Sequence, residues 1–151
     1  MPAPPAREAV AWQGGATFAL DDSQAHSGQF SARISISEAN DARWIQTIRV
    51  VPHTRYVLSG WIKTRKVQVV DGPTRVGANL CLHDTWEHTT GVLGTADWTY
   101  QEMYFDSGDR TEVTISCRLG YWAGIVTGTM SCDDIVVRPK KTQPAASSQI
   151  E

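Results

Sequence analysis

Hydrophobic and polar residues alternate in short runs along most of this chain. In 54-TRYVLSGWIKT-64, every second residue from Tyr56 to Ile62 is apolar or glycine, whereas Ser59, Trp61 and Lys63 fall on the other side. The runs 30-FSARISIS-37 and 76-VGANLCLH-83 alternate in the same way. A period of two residues is typical of a β-strand that buries one face.

Turn residues separate these runs at regular intervals, and no long helical periodicity appears between them. We predict strands over residues 16–21, 30–37, 43–51, 54–64, 76–83, 98–105, 111–119 and 130–138. Regularly spaced short strands favour an all-β fold, a β-sandwich (jelly roll) of two antiparallel sheets.

Both ends of the chain have the composition of linkers. PAPPA near the start and PKKTQPAASSQIE at the end are rich in Pro, Ala, Ser and Gln. We therefore predict a tail over residues 1–12, one sandwich domain over 13–138 and a second tail over 139–151.

Charge and composition narrow the classes of function. Apolar residues make up 41% of the 151 positions, and 14 basic against 16 acidic side chains give a formal charge of −2. No basic stripe supports nucleic-acid binding, and no apolar run approaches the roughly 20 residues that span a bilayer. The start, MPAPPAREAV, does not resemble a secretion signal, so we expect this chain to be part of a longer precursor.

Three cysteines, Cys81, Cys117 and Cys132, lack the short paired spacing of a zinc site. One disulfide plus a free thiol is one interpretation. We prefer three buried thiols, since a free cysteine packs like a small hydrophobic residue.

The outward faces of the predicted strands carry the first candidate binding residues. Alternation sends Asn79, His83 and Arg118 outward, and if 54–64 belongs to the same sheet, Trp61 joins them. An indole can stack on the apolar face of a sugar ring while planar polar groups bind its hydroxyls. The alternative for Trp61 is core packing under a loop.

Further candidates lie in or beside the predicted loops. Trp86 and the pair Tyr121–Trp122 lie in polar or glycine-rich connections, where binding residues are often found. Arg43 and Trp44 follow the polar EAND break, and core packing is the alternative for Trp44.

Five stretches together resemble a known family. They are 26-HSGQFSARI-34, the Trp-x-Gln run at 44–46, Pro52 with 56-YVLSGWIKT-64, 94-GTADWTYQEMYF-105 and 133-DDIVV-137. In this order they resemble carbohydrate-binding modules of the four, nine, sixteen and twenty-two group. These are galactose-binding-like jelly rolls attached to secreted polysaccharide-degrading enzymes. The resemblance implies an extracellular module that binds a polysaccharide or oligosaccharide beside a flanking catalytic domain.

The same resemblance implies a structural calcium ion. In the family, the loop that matches 26–29 supplies backbone carbonyls and the closing Asp supplies its side chain, which here implicates Gly28, Gln29 and Asp133. Alternation with Ile135 also turns Asp133 inward, where a carboxylate needs a partner or a metal. The family's N-terminal Asn-x-x-Phe-Glu motif is missing from this chain. A hydrogen-bonded Asp that closes the loop is the alternative.

The sequence therefore predicts non-catalytic carbohydrate binding that targets an attached enzyme to polysaccharide. One alternative is a structural or protein-interaction sandwich of a multidomain secreted protein. Another is a small polysaccharide lyase or hydrolase, for which no convincing set of catalytic residues is visible.

Overall fold

A computed structural model describes residues 8–72, 75–83, 85–122 and 124–140 of the chain. These residues form nine strands and no helix. The strands are β1 (Glu8–Ala11), β2 (Ala16–Asp21), β3 (Ser31–Asn40), β4 (Ala42–Arg49), β5 (Arg55–Asp71), β6 (Ala78–Leu82), β7 (Gly94–Asp106), β8 (Glu112–Leu119) and β9 (Ile125–Pro139).

The strands form two antiparallel sheets. The four-stranded sheet has the order β1-β4-β8-β6, and the five-stranded sheet has the order β2-β3-β9-β5-β7. The predicted all-β sandwich is therefore confirmed. None of the described residues belongs to a helix that could span a membrane.

The core lies between the inner faces of the two sheets. Leu80 and Leu119 of the four-stranded sheet and Ile34, Leu58 and Ile62 of the five-stranded sheet have no solvent exposure. Burying one such side chain contributes about 1.5–3 kcal/mol. The alternation that predicted the strands is thus the alternation that fills this core.

Residues 8–11, which we predicted to belong to a tail, form the edge strand β1. Glu8 pairs with Ile45 and Ala11 pairs with Ala42, so β1 extends the four-stranded sheet beyond β4. Four residues are too few for a two-residue period to stand out in a sequence. The C-terminal tail prediction for 141–151 lies outside the described residues.

An irregularity in β9 changes the face on which Asp133 lies. Ser59 pairs with Val136 but Trp61 pairs with Asp133, so β9 holds one extra residue between these pairs. Asp134 has a positive φ of 52° at this point. Such a β-bulge shifts the side-chain alternation by one position. Asp133 therefore shares the outer face of Trp61, and the predicted inward position is wrong.

The cysteines form one disulfide and leave one free thiol, so the preferred interpretation of three buried thiols is wrong. Cys117 of β8 and Cys132 of β9 form a disulfide that joins the two sheets through the core. Cys81 remains a free, buried thiol on β6. The sequence showed no paired spacing because the two partners lie on different strands of opposite sheets.

Candidate functional site

The outer face of the four-stranded sheet brings together most of the polar residues that the sequence singled out. Arg43, Asn79 and Arg118 lie on neighbouring strands and face away from the core. The register aligns two rows across β4, β8 and β6, first Arg43, Arg118 and Asn79, then Ile45, Ser116 and Cys81. His83 follows β6, and its N–H donates to the carbonyl of Thr114 at 2.8 Å.

Arg118 is the buried centre of this surface. Its side chain is only 1% exposed and forms a two-point ion pair with Asp41, in which Nε donates to Oδ1 at 2.7 Å and Nη2 donates to Oδ2. Burial alone lowers the pKa of Arg118, but hydrogen bonding and charge pairing with Asp41 outweigh it and raise that pKa. Arg118 is therefore a permanent cation held in a fixed orientation.

Two aromatic rings of the loop after β8 lie against this cation. The guanidinium carbon of Arg118 is 5.0 Å from the ring centre of Tyr121 and 5.1 Å from that of Trp122. Both distances suit cation–π attraction. The loop starts at Gly120, whose φ is 107° and where a Cβ would come within 3.0 Å of the Asp41 backbone. Glycine is required there, and it allows the rings to fold over Arg118.

Trp86 and Trp122 form an aromatic pair at the edge of the surface. Their ring centres are 5.3 Å apart, and Trp122 Nε1 donates to the carbonyl of Thr85 at 3.1 Å. Trp86 is 75% exposed, the largest exposure among the big apolar side chains that the structure describes. The loop after β6 and the loop after β8 therefore meet in an indole pair that faces solvent.

The segment after Trp86 supports this edge. Thr89 donates its N–H to the Leu80 carbonyl at 2.9 Å, and His88 forms a bridge with Cys81. The His88 ring lies 4.4 Å from the ring of Tyr121. The segment thus acts as a short additional strand beside β6, and His88 faces the same surface as Cys81.

Burial divides the predicted sugar contacts into two groups. Arg118, Asn79 and Tyr121 are at most 3% exposed, so they lie beneath the surface. Asn79 donates its amide hydrogens to the carbonyls of Gly77 and Gly120 at 3.1 and 3.0 Å. These three residues position their neighbours. Trp86 is exposed, and Trp122, Arg43 and His83 are partly exposed and within reach of a ligand.

The Tyr121 hydroxyl and the Cys81 thiol are close to the Arg118 cation. Burial raises the pKa of the Tyr121 hydroxyl and of the Cys81 thiol, and in both cases Arg118 opposes the shift. A raised pKa keeps this phenol and this thiol in their neutral forms at pH 7.

Trp61 does not belong to this surface, contrary to the prediction. β5 pairs with β7 and β9, so Trp61 lies on the outer face of the five-stranded sheet, on the opposite side of the sandwich. The His26 ring stacks on its indole, with centres 4.0 Å apart and planes 14° apart. His26 belongs to the loop between β2 and β3, so this loop covers Trp61. A loop over Trp61 is the alternative that the sequence left open.

Trp44 faces inward and lies away from this surface, which agrees with the core packing that the sequence left open for it. It pairs with Cys117, whose side chain points into the core, and its ring packs edge-to-face on Phe18 at 5.3 Å. Its Nε1 donates to the Arg33 carbonyl at 3.3 Å. Arg43, one residue earlier, necessarily faces outward.

The Asp133 carboxylate is held by backbone hydrogen bonds, and the calcium ion expected from the sequence stays a prediction. One carboxylate oxygen accepts the backbone N–H groups of His26 and Ser27 at 2.8 and 3.0 Å, and the other accepts the N–H of Asp134 at 2.8 Å. Calcium takes six to eight oxygen ligands. Gly28 and Gln29 lie exposed in the same loop, and the described residues include no group of three or more potential metal-ligating side chains.

A second carboxylate fastens the same loop. Asp134 accepts hydrogen bonds from Ser27 Oγ and from His26 Nδ1, each at 2.7 Å. These bonds hold the pKa of Asp134 below its ordinary value. The two aspartates thus close the β2–β3 loop through hydrogen bonds, which is the alternative that the sequence left open for Asp133.

Three residues at the outer face of the four-stranded sheet were not among the predicted site residues. Asp41 orients Arg118, and His88 contacts Tyr121. Trp12, assigned to the tail, is 66% exposed directly after β1, and its N–H donates to the Asp41 carbonyl at 3.0 Å. The sequence contains one signal for Asp41. This acidic residue ends the polar EAND break, next to a predicted strand, and Arg118 is predicted to face outward.

No protein-family model and no curated protein matches this chain. Solved structures do match its fold, and several are carbohydrate-binding modules. A family 61 module in complex with β-1,4-galactotriose aligns with a TM-score of 0.58 at 16% identity, covering 89% of this chain and 88% of that one. A family 4 module aligns at 0.56 and 22%, covering 87% and 86%.

The CBM22-1 xylan-binding domain of Paenibacillus barcinonensis Xyn10C aligns with a TM-score of 0.52 at 15% identity, covering 89% of this chain and 87% of that one. The chain thus has the sandwich fold found in several families of carbohydrate-binding module. At these identities the likeness defines the fold, and the ligand has to be argued from the site.

Proposed function

We propose that this chain is a non-catalytic carbohydrate-binding module that binds a glycan on the outer face of its four-stranded sheet. The observation that carries the proposal is the Trp86–Trp122 pair, exposed at the edge of a polar sheet face and held by Arg118 and Thr85. Rigid aromatic rings beside a few polar groups are the usual composition of a small-molecule site.

Each accessible group has a distinct role in this proposal. The indoles of Trp86 and Trp122 stack on pyranose rings, and Arg43 and His83 bind the hydroxyl groups. Arg118, Asn79 and Tyr121 hold these groups in place from below. Such preorganisation reduces the conformational entropy lost on binding.

The same proposal implies a flanking enzyme and an extracellular location for this module. A flanking enzyme would gain effective substrate concentration from a module that remains bound to the polysaccharide. The Cys117–Cys132 disulfide supports an extracellular location, since disulfides persist in oxidising compartments. A CBM22-1 module joined to GH10 modules is among the structures that share this fold.

Affinity gel electrophoresis tests the proposal with soluble β-1,4-galactan and xylan as the immobile polysaccharides. We expect at least one of them to retard the wild-type protein. Trp122→Ala should weaken that retardation about tenfold or more, because it removes a stacking ring that Arg118 and Thr85 hold in place.

Trp61→Ala is the matched control, since it removes the same ring from the opposite face of the sandwich. It should keep wild-type retardation, with folding of both variants verified by thermal unfolding. Loss of retardation in Trp61→Ala with full retardation in Trp122→Ala would move the site to the five-stranded sheet. No retardation of the wild type by any neutral glycan would reject the proposal.

A further inference from the structure

The outer face of the five-stranded sheet carries a trough of about 500 Å³ that is lined with basic and hydroxyl side chains. Its basic residues are Arg33 on β3 and Lys63, Arg65 and Lys66 on β5. It lies on the opposite layer from the Trp86–Trp122 pair. The candidate site described above therefore does not account for it.

Strand register builds the trough as two parallel rows. Arg33, Ser131 and Lys63 lie side by side across β3, β9 and β5. The next row in the same direction is Ser35, Thr129 and Arg65. Since neighbouring strands lie about 4.8 Å apart, each row places its outer residues about 10 Å from each other across a hydroxyl floor.

The floor is held in position by its own contacts. Ser35 Oγ and Thr129 Oγ1 are hydrogen-bonded at 3.2 Å, and Ser131 is 3% exposed. At one end of the trough, Lys66 has a positive φ of 53°, and its N–H donates to Thr95 Oγ1 at 3.0 Å. The backbone around the basic side chains is thus fixed by the sheet.

The positive charge of the trough is only partly compensated. Arg33 lies 3.4 Å from Asp21, and Lys63 lies 3.9 Å from the exposed Asp97, a long and weak contact. Arg65 and Lys66 are exposed and form no ion pair within the described part of the chain. Four cations thus gather on one face of a chain whose net charge is −2.

We propose that this trough is a second binding site, for an anionic glycan that carries carboxylate or sulfate groups. Arg33, Lys63, Arg65 and Lys66 would bind the acidic groups through charge-assisted hydrogen bonds, and the accessible hydroxyls of Ser35, Thr95 and Thr129 would bind the sugar hydroxyls. Single-stranded nucleic acid fits less well, because none of the residues that line the trough offers a ring for base stacking.

Binding measurements with two anionic probes test this site, a galacturonate hexamer for carboxylate and a heparin-derived hexasaccharide for sulfate. We expect at least one to bind the wild type, more weakly as salt rises, because added ions screen the attraction. Arg65→Glu should weaken this binding about tenfold or more. The preferred probe identifies the acidic group.

Arg75→Glu is the matched control, since it makes the same change of charge at an exposed residue outside the trough. It should leave anionic binding within about twofold of the wild type, since long-range effects of one surface charge are screened. Trp122→Ala should leave it unchanged as well, so failure of this proposal and failure of the neutral-glycan site are separate results.

Three results would overturn the inference. One is anionic hexamers that bind no more tightly than a neutral xylohexaose. Another is an equal loss in Arg65→Glu and Arg75→Glu, which would indicate non-specific attraction. The third is tighter binding of a thymidine oligonucleotide than of either glycan, which would assign the trough to phosphates.

Discussion

Replacing Asp41 with alanine is expected to lower the free energy of unfolding by about 3–5 kcal/mol, because it leaves the buried Arg118 without its counter-charge. The Arg118 side chain is 1% exposed and that of Asp41 is 13% exposed. At this low exposure, hydration of Arg118 compensates poorly for the lost carboxylate. Urea denaturation monitored by fluorescence measures the change.

Asp106→Ala is the control for this substitution, since Asp106 pairs with Arg55 on the surface, where both side chains are at least half exposed. Asp106→Ala should lower the free energy of unfolding by at most about 1 kcal/mol. The double variant Asp41→Ala with Arg118→Met should recover part of the loss, since it removes the buried charge. If Asp41→Ala and Asp106→Ala lowered the free energy of unfolding equally, the buried Asp41–Arg118 ion pair would not have the stabilising role assigned to it.

Removing the disulfide with Cys117→Ala and Cys132→Ala is expected to cost about 3 kcal/mol of unfolding free energy. The two cysteines are 15 residues apart in the chain, and closing a loop of this length restricts the unfolded state by about that amount. Wild-type protein in a reducing agent should lose similar stability in urea denaturation. The double variant should not respond to the reducing agent.

A thiol titration of the denatured, non-reduced protein verifies the pairing. One of the three cysteines, Cys81, should react. Cys81→Ala is the control variant, and it should leave no reactive thiol while keeping the response to reducing agent. Three reactive thiols in the wild type would restore the interpretation that we preferred from the sequence.

The sequence predicted strand positions and local faces well, because both depend on alternation along a single strand. It placed Asn79, His83 and Arg118 outward, and the structure brings them to one sheet face together with Arg43. It could not predict that Arg118 and Asn79 are buried on that face. Their burial depends on loops that fold back over the sheet, and loop paths have no periodic signal.

The error at Trp61 has a different cause, the assignment of strands to sheets. Alternation shows that Trp61 and Arg118 both face away from the core, but a sandwich has two outer faces. Only the pairing of β5 with β7 and β9 shows that Trp61 lies on the other one. Strand pairing is a long-range property that short patterns do not encode.

The faces on which Trp44 and Asp133 lie depend on a displacement of one residue. Trp44 and Arg43 are adjacent in β4, so they lie on opposite faces of the strand. Only Arg43 lies on the outer face, where it can meet a ligand. At Asp133, the bulge in β9 reverses the alternation of an otherwise regular strand. Neither the start of an alternating run nor a bulge is marked clearly by residue type.

The most direct test of the central claim is to observe the indole N–H signals of the six tryptophans by NMR during titration with β-1,4-galactotriose and xylohexaose. Single Trp→Phe variants assign the signals. The proposed site predicts that a bound sugar shifts Trp86 and Trp122 and leaves Trp44 and Trp61 unchanged. Shifts at Trp61 with none at Trp86 and Trp122 would contradict it, as would six unchanged signals.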